Sequence, residues 1–452
     1  MSNLEFTPSK SQEVIIPRTL KGFRDYLPEE MLARQGMINT VIAIFELFGF
    51  VPLQTPALEY SDILLGKMGT DAEKLLFRFR DQGERDVSMR YDLTVPLARV
   101  AAQYPDLPKP FKRYQIAPVW RGENPGRGRF REFYQCDCDV VGSASLLYDA
   151  ECIALGFAVM RALSVNVEVR YSNRKVLAAL AASLNVADER QTLAISRTID
   201  KLAAQGVERV RELLKADANC SSEQVEKIMR FVGISGSDDE MLAKLEEQLG
   251  TMAAEAGSEL RRARSYAGEL IGAEDAARLK LDFSIARGLD YYTGTVYETF
   301  LPDLPGFGSV MSGGRYDNLI ARYLGRPMPA VGISVGLDRL LAGLMELGRV
   351  KKISATSQVL VAPMDAECLS AALKTLSQFR AAGVAAEICI DNEQNLKMAK
   401  QLALAAKKGI PYAAILGSNE VGKGVVMLKN LAARQQEELS VAQAIEKIKL
   451  RQ

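Results

Sequence analysis

The sequence predicts an α+β protein: a largely antiparallel sheet, interrupted by a helical insertion and followed by a small α/β unit. Three observations predict it. Strand-like alternation runs through residues 111–142 and returns at 281–300. The stretch between, about 175–277, is charged and helix-rich and lacks that alternation. Beyond Lys352 short apolar strands alternate with helical stripes, the pattern of a small parallel or mixed α/β domain.

The elements follow in order. Residues 1–17 read as a loose tail. A helix is predicted from Pro28, suited to a first-turn position, to Phe48, with Ile38, Val41, Ile42, Phe45 and Phe48 on one stripe and Gly49 as its stop. FVPLQTPALEY is strand-like, but Pro52 and Pro56 confine it to an edge or interface. In RFREFYQCDCDVVG, Arg129, Arg131, Phe133, Gln135, Asp137 and Asp139 share one face, while Phe130, Glu132, Tyr134, Cys136, Cys138 and Val140 share the other. A polar strand face is commonly just solvated; this mixture of guanidinium, ring, amide and carboxylate also fits the floor of a site. Ser222 is the expected cap of a short amphipathic helix in the insertion. In LDFSIARGLDYYTGTVYETF, Leu281, Phe283, Ile285 and Arg287 share a face and Gly288 begins a turn, which predicts a hairpin. PAVGISVGL is a small-residue strand leading into a helix. The last unit reads as strand SQVLVAPM, a helix with Leu369, Leu373 and Leu376 on one stripe, strand VAAEICI, helix NLKMAKQLALAAKKG and strand IPYAAILG.

Composition narrows the chemistry. A chain of 452 residues exceeds one typical domain and predicts roughly two to four. With 48% hydrophobic and 25% charged residues it is an ordinary folded composition. No apolar run is long enough to span a membrane, and the first residues lack the pattern of an export leader. Six cysteines make no disulfide framework and fit a reducing, cytoplasmic setting. There is no histidine, so every mechanism built on an imidazole base or a histidine–metal bond is excluded. The net charge of +1 gives no global pull toward nucleic acid, leaving only local patches.

Two motifs are set aside. GSNEVGK at 417–423 nearly fits a phosphate-binding loop, but Gly424 replaces the Mg²⁺-binding hydroxyl and a strand follows, so it reads as a hairpin turn. Cys136 and Cys138 read as core thiols, because no second pair or histidine accompanies them. Arginine carries more. Arg121 ends KRYQIAPVWR, Arg287 opens RGLDYY, and Arg339 lies at a helix start in GLDRLL. Lone arginines usually serve surface ion pairs. Three at the ends of apolar elements suit a polyphosphate and charge developing at phosphorus, without any imidazole.

At these residues the chain resembles the histidyl-tRNA synthetase family of class II aminoacyl-tRNA synthetases, from about Pro17 to about Ile448. The Pro28 helix and the Pro56 stretch resemble motif 1, which in that family builds a homodimer interface. FKRYQIAPVWRGENPGRGRFREFYQCDCDVVG resembles motif 2 and VGISVGLDRLL motif 3. ARGLDYYTGTVYE, with RYDLT at 90–94 and QCDCD at 135–139, resembles the segments that select histidine.

The resemblance implies ATP-dependent activation of L-histidine to histidyl-adenylate, with Mg²⁺ on the phosphates, and transfer to the 3′ end of tRNA-His. It implies that Arg121 binds the α-phosphate, that Glu123 and Phe133 fix the adenine, and that Arg339 covers the adenine ring. Arg287 is expected on the α-phosphate and the substrate carboxylate. Asp92, Thr94 and Gln135 are expected on the α-amino group. Asp139 and Tyr292, with Tyr291 and Tyr316 nearby, are expected around the imidazole. The implied organisation is a tail at 1–17, catalytic segments at 18–174 and 278–350, a helical insertion at 175–277 and an anticodon-binding domain at 356–452. Lys397, Lys400, Lys407 and Lys408 would give its helix a basic face, either solvated or turned to the anticodon arm. Gln115 stands where many relatives carry histidine, and the loop NPGRGRF is compact. The rivals are a non-catalytic regulatory subunit of histidine biosynthesis, a synthetase for another amino acid such as threonine or proline, and a tRNA-binding module alone. The intact arginine set and ARGLDYYTG speak against all three.

Overall fold

The computed structural model describes residues 15–65, 73–286, 292–350, 355–390 and 396–450. Of the expected tail, residues 1–14 lie outside the described residues, and Ile15 and Ile16 are exposed. Two units emerge: residues up to Asp25 together with Met37–Arg349, and Tyr26–Gly36 together with residues from Val350 onward.

Proline and glycine bound the first helix as expected. It runs Pro28–Leu47, and Gly49 follows at φ 78°. Its Met37, Ile38, Val41 and Phe45 are buried.

The strands of the larger unit are β1 (Val51–Pro52), β2 (Leu58–Tyr60), β3 (Arg78–Arg80), β4 (Asp86–Met89), β5 (Phe111–Trp120), β6 (Glu132–Val141), β7 (Glu168–Asn173), β8 (Leu279–Leu281), β9 (Thr295–Phe300), β10 (Met311–Arg315) and β11 (Ala330–Gly336). Eight of them form one sheet in the order β1-β5-β6-β11-β10-β9-β7-β8, and β2-β4-β3 form another. Every interior pair of the large sheet is antiparallel. Only the two edge pairs, β1 with β5 and β7 with β8, are parallel. Pro52 therefore sits where proline costs least, on a short edge strand.

Parallel neighbours cannot be joined by a tight turn. Between β7 and β8 the chain makes its long helical excursion, from Arg174 to Ala276, as the charged composition predicts. The helix Ser222–Val232 there is capped by Ser221, one residue earlier than expected. Ser221 and Gln224 form a reciprocal capping box, which Ser222 with its own neighbours does not.

The expected hairpin between LDF and TVYETF is not formed. β8 and β9 flank opposite edges of β7 instead of each other. Alternation identifies a strand and its faces, but not the partner it pairs with. The turn at Gly288 lies outside the described residues.

The smaller unit has β12 (Val359–Pro363), β13 (Ala386–Glu387), β14 (Tyr412–Leu416), β15 (Val425–Asn430) and β16 (Gln435–Ser440) in the order β13-β12-β14-β15-β16. The sheet is mixed, as the alternating pattern allows. GSNEVGK is not a bare turn: Ser418–Lys423 forms a short helix between β14 and β15, ended by Gly424 at φ 71°. Glu420 accepts from the Gly417 N–H at 2.9 Å and so nucleates that helix. The leucine stripe of helix Leu369–Ala381 is also shifted. Ala372, Leu376 and Phe379 face the core, and Leu373 is exposed. The small Ala372 lets that face approach the sheet more closely than a leucine would.

Candidate active site

The site is built on the register of β5 and β6. Directly opposed residues of an antiparallel pair share a face. Arg113 opposes Asp139, Gln115 opposes Asp137, Ala117 opposes Gln135 and Val119 opposes Phe133. On the reverse face Cys136, Cys138 and Val140 are fully buried, so the thiols are core groups. Burial pushes the Cys138 thiol well up, which keeps it protonated and inert.

The polar face opens into a cavity of about 470 Å³. Asp92, Thr94, Arg121, Glu123, Phe133, Gln135, Asp139, Tyr292, Tyr316 and Arg339 all line it. These are the predicted site residues except Arg287 and Tyr291, which lie outside the described residues. They come from four places: the turn before helix Thr94–Gln103, the β5–β6 pair with its connection, the β9–β10–β11 face, and helix Leu337–Glu346.

Glycine keeps the cavity open. Gly332 on β11 opposes Asp139, and a Cβ there would stand 1.9 Å from the Asp139 Oδ1. At Gly313 a Cβ would stand 2.2 Å from the Gly332 carbonyl oxygen. The strands must pass bare beneath the carboxylate.

Part of the lining is rich in acceptors. The Tyr316 hydroxyl donates to Asp139, and Arg113 forms an ion pair with the same carboxylate at 2.7 Å. Burial pushes the Asp139 carboxyl up, while Arg113 and Tyr316 pull it back. The Asp92 Oδ1 accepts from the Val95 N–H at 2.9 Å, which starts helix Thr94–Gln103. Desolvation raises the Asp92 carboxyl as well, against the opposing charges of Arg121 and Arg113. Gln135 donates to Ser334 at 2.8 Å, and its carbonyl oxygen is buried without a hydrogen-bond partner. An orphan acceptor beside carboxylates suits an ammonium group.

The lining also carries cations on aromatic faces. The Arg121 guanidinium lies 4.2 Å from the Tyr91 ring centre and 5.0 Å from that of Phe133, and its Nε donates to the Tyr91 carbonyl at 3.2 Å. Arg339 stands 5.5 Å from the Phe307 ring and donates to the Phe307 carbonyl. Such stacking fixes a guanidinium while leaving its edge to meet an anion. Glu123 stands 3.9 Å from Arg129 at the rim.

Sequence reasoning missed several contributors. Arg113 and Gln115 share the alternating face of KRYQIAPVW and could have been read from it. Arg90 could not: it is buried and donates to the carbonyls of Thr55, Pro118 and Pro56, bracing the turn that presents Tyr91 and Asp92. Asp338 reaches back across strands, accepting from the Tyr134 N–H at 2.7 Å, and so docks the Arg339 helix on β6. Glu298 on β9 is buried, lines the cavity and opposes Ser312.

Comparison with known proteins identifies the family. A family description, Histidyl-tRNA synthetase, matches residues 22–340, and a second, Anticodon binding domain, matches 358–451. A Histidine--tRNA ligase of Rhodopirellula baltica is 43% identical over 429 residues, covering 94% of this chain and 96% of that protein. The crystal structure of histidyl-tRNA synthetase from Nostoc sp. PCC 7120 superposes with a TM-score of 0.85 at 35% identity, covering 97% of this chain and all of that one. A Bacillus halodurans structure titled ATP phosphoribosyltransferase regulatory subunit/histidyl-tRNA synthetase shares the fold, with a TM-score of 0.69 at 23% identity over 83% of this chain. With a matching description over most of its length and close relatives along nearly all of it, the chain belongs to the histidyl-tRNA synthetase family.

Proposed function

We propose that this chain activates L-histidine with ATP to histidyl-adenylate and transfers the histidyl group to the terminal ribose of tRNA-His. The observation that carries this reading is the lining of one cavity, which combines orphan and buried acceptors with ring-stacked guanidinium groups. In the first step the histidine carboxylate oxygen forms a bond to the α-phosphorus, and the bond from that phosphorus to the pyrophosphate oxygen breaks. Arg121, with Arg287, neutralises the charge developing there. Glu123 and Phe133 hold the adenine and Arg339 covers it. Asp92, Thr94 and the Gln135 carbonyl take the ammonium. Asp139, Tyr292 and Tyr316 hydrogen-bond the imidazole, a task the sequence resemblance extends to Tyr291. Catalysis is then positioning and electrostatics, with no proton carrier required of the chain. A pocket of paired acceptors rejects apolar isosteres, which would leave those acceptors unpaired.

Mg²⁺ fits this donor set. Glu298 and Glu123 offer hard oxygen donors at the cavity, and among the described residues no three ligating side chains form a metal cage. Such an ion would be held mainly by phosphates and water and would offset polyphosphate charge. The large-sheet segments would serve catalysis, the helices of 175–277 would be an insertion, and residues 356–452 would meet the anticodon arm. The half-exposed Val51 and the exposed Leu58, Tyr60 and Tyr104 favour a homodimer through the β1–β2 region. No helix among the described residues is long and apolar enough to cross a membrane; work in the cytoplasm suits the free cysteines.

ATP–pyrophosphate exchange with each of the twenty amino acids, without tRNA, tests the proposal. Exchange with histidine alone is expected. No exchange with any amino acid would favour the regulatory-subunit reading.

A further inference from the structure

Asp137 is the one carboxylate on the cavity floor to which neither the sequence nor the proposed mechanism gives a task. It is 2% exposed, lines the cavity, and neither of its oxygens has a hydrogen-bond partner. An ionised carboxylate left in that condition is costly.

Among the described residues, the one cation facing it whose guanidinium has unpartnered nitrogens is Arg113, and Arg113 is shared with Asp139. From β5 it faces Gln115 and, diagonally, Arg113, which already pairs with Asp139. From the turn before Thr94 come Asp92, a like charge, and Arg90, whose donors are engaged with backbone carbonyls. Gln135 and Asp139 flank it on β6, and Ser334 opposes it on β11, where its hydroxyl draws the Asp137 carboxyl down less than burial pushes it up. Three buried carboxylates thus meet two buried guanidinium groups, Arg90 held on backbone carbonyls and Arg113 paired with Asp139.

We propose that Asp137 is a specificity-determining residue of the histidine pocket, which carries a proton while the pocket is empty and yields it to solvent when the substrate ammonium settles above Gln135 and Asp137. This rests on the histidine-activating reading above. The arriving ammonium supplies the missing positive charge, the carboxyl O–H bond breaks, and the proton passes to the buffer. Selection for a free α-amino group is thereby built into the floor. A ligand with the ring and the carboxylate but no ammonium leaves Asp137 protonated.

The test is calorimetric titration of the full-length enzyme with L-histidine at pH 7 in two buffers of different ionisation enthalpy. Burial holds Asp137 at about 7, so the wild type is expected to release about half a proton per site. The chain has no imidazole of its own, so ring-labelled histidine reports the ligand's own proton change by NMR without background, and that share is subtracted. Asp137→Asn is expected to release none, Asp137→Glu to restore the release, and 3-(imidazol-4-yl)propionate to cause none. Equal release by wild type and Asp137→Asn, or by histidine and the ammonium-free analogue, would overturn the proposal. If Asp137→Asn does not fold, a zero balance in the wild type overturns it alone. Pyrophosphate exchange on the same preparation separates the two readings: exchange without the Asp137-dependent proton sinks only this inference, whereas absence of histidine binding sinks the function with it.

Discussion

The two sheets of this protein treat charge in opposite ways. The large sheet buries Arg113, Asp137 and Asp139 on one face, with Arg90 and Asp92 packed above them. In the smaller unit β12 and β14 are buried and apolar throughout, and beyond Val350 the buried polar residues described, Thr375 and Gln401, are uncharged. Its charges, including Lys397, Lys400 and Lys407, stand on the surface. The lesson concerns what each sheet is for. Buried charge destabilises a fold unless it is paired, and its gathering beside a cavity supports the function proposed for that face. A sheet without it is a scaffold, and any partner must be met from outside.

Substitutions can break or sharpen that contrast. The largest effect is expected from Asp139→Ala, which strands Arg113 as an unpaired buried cation. It should cost about 3–5 kcal/mol of stability and abolish histidine binding, as read by denaturant unfolding and calorimetry. Arg121→Ala should leave unfolding unchanged and slow adenylate formation about 10²–10³-fold, measured by pyrophosphate exchange. A normal rate in that variant would remove Arg121 from the chemistry.

The scaffold should answer differently. Leu428→Ala on β15 should cost about 2 kcal/mol, the low end for such a truncation, because the small Ala414 opposite leaves room to collapse. Pyrophosphate exchange should persist in it.

Asp137 gives the contrast a pH dependence. Its folded value, about 7, lies above the ordinary carboxylate value, so between about pH 4 and 7 the folded state binds more proton than the unfolded state. Stability of the empty enzyme should fall as pH rises through that window. Asp137→Asn should flatten the fall and melt higher than wild type at pH 8. The smallest effect belongs to the lysines. Lys397→Gln and Lys407→Gln should each reduce the salt slope of tRNA binding by about one unit or less, with histidine activation untouched.

Much of this contrast was legible in the sequence. Alternation in RFREFYQCDCDVVG separated the polar floor from the cysteine face, because side-chain period in a strand is a local property. The absence of histidine directed attention to arginine and carboxylate chemistry. Pairing was not legible. That β8 and β9 both flank β7 depends on a crossover of about a hundred residues, and no local pattern records it. Nor could spacing reveal Arg90 or Asp338, whose partners lie on other strands. The helix at Ser418–Lys423 was hidden by glycines that suggested a turn, although Glu420 carried the capping signal.

Gly332 has a consequence for inheritance. Every missense change that one base can make in a glycine codon introduces at least one further carbon, and the first carbon already collides with the Asp139 carboxylate. Position 332 therefore has no conservative neighbour in the genetic code. A saturation library scored for growth on the enzyme's activity should return it as intolerant to all nineteen alternatives, with alanine as damaging as leucine.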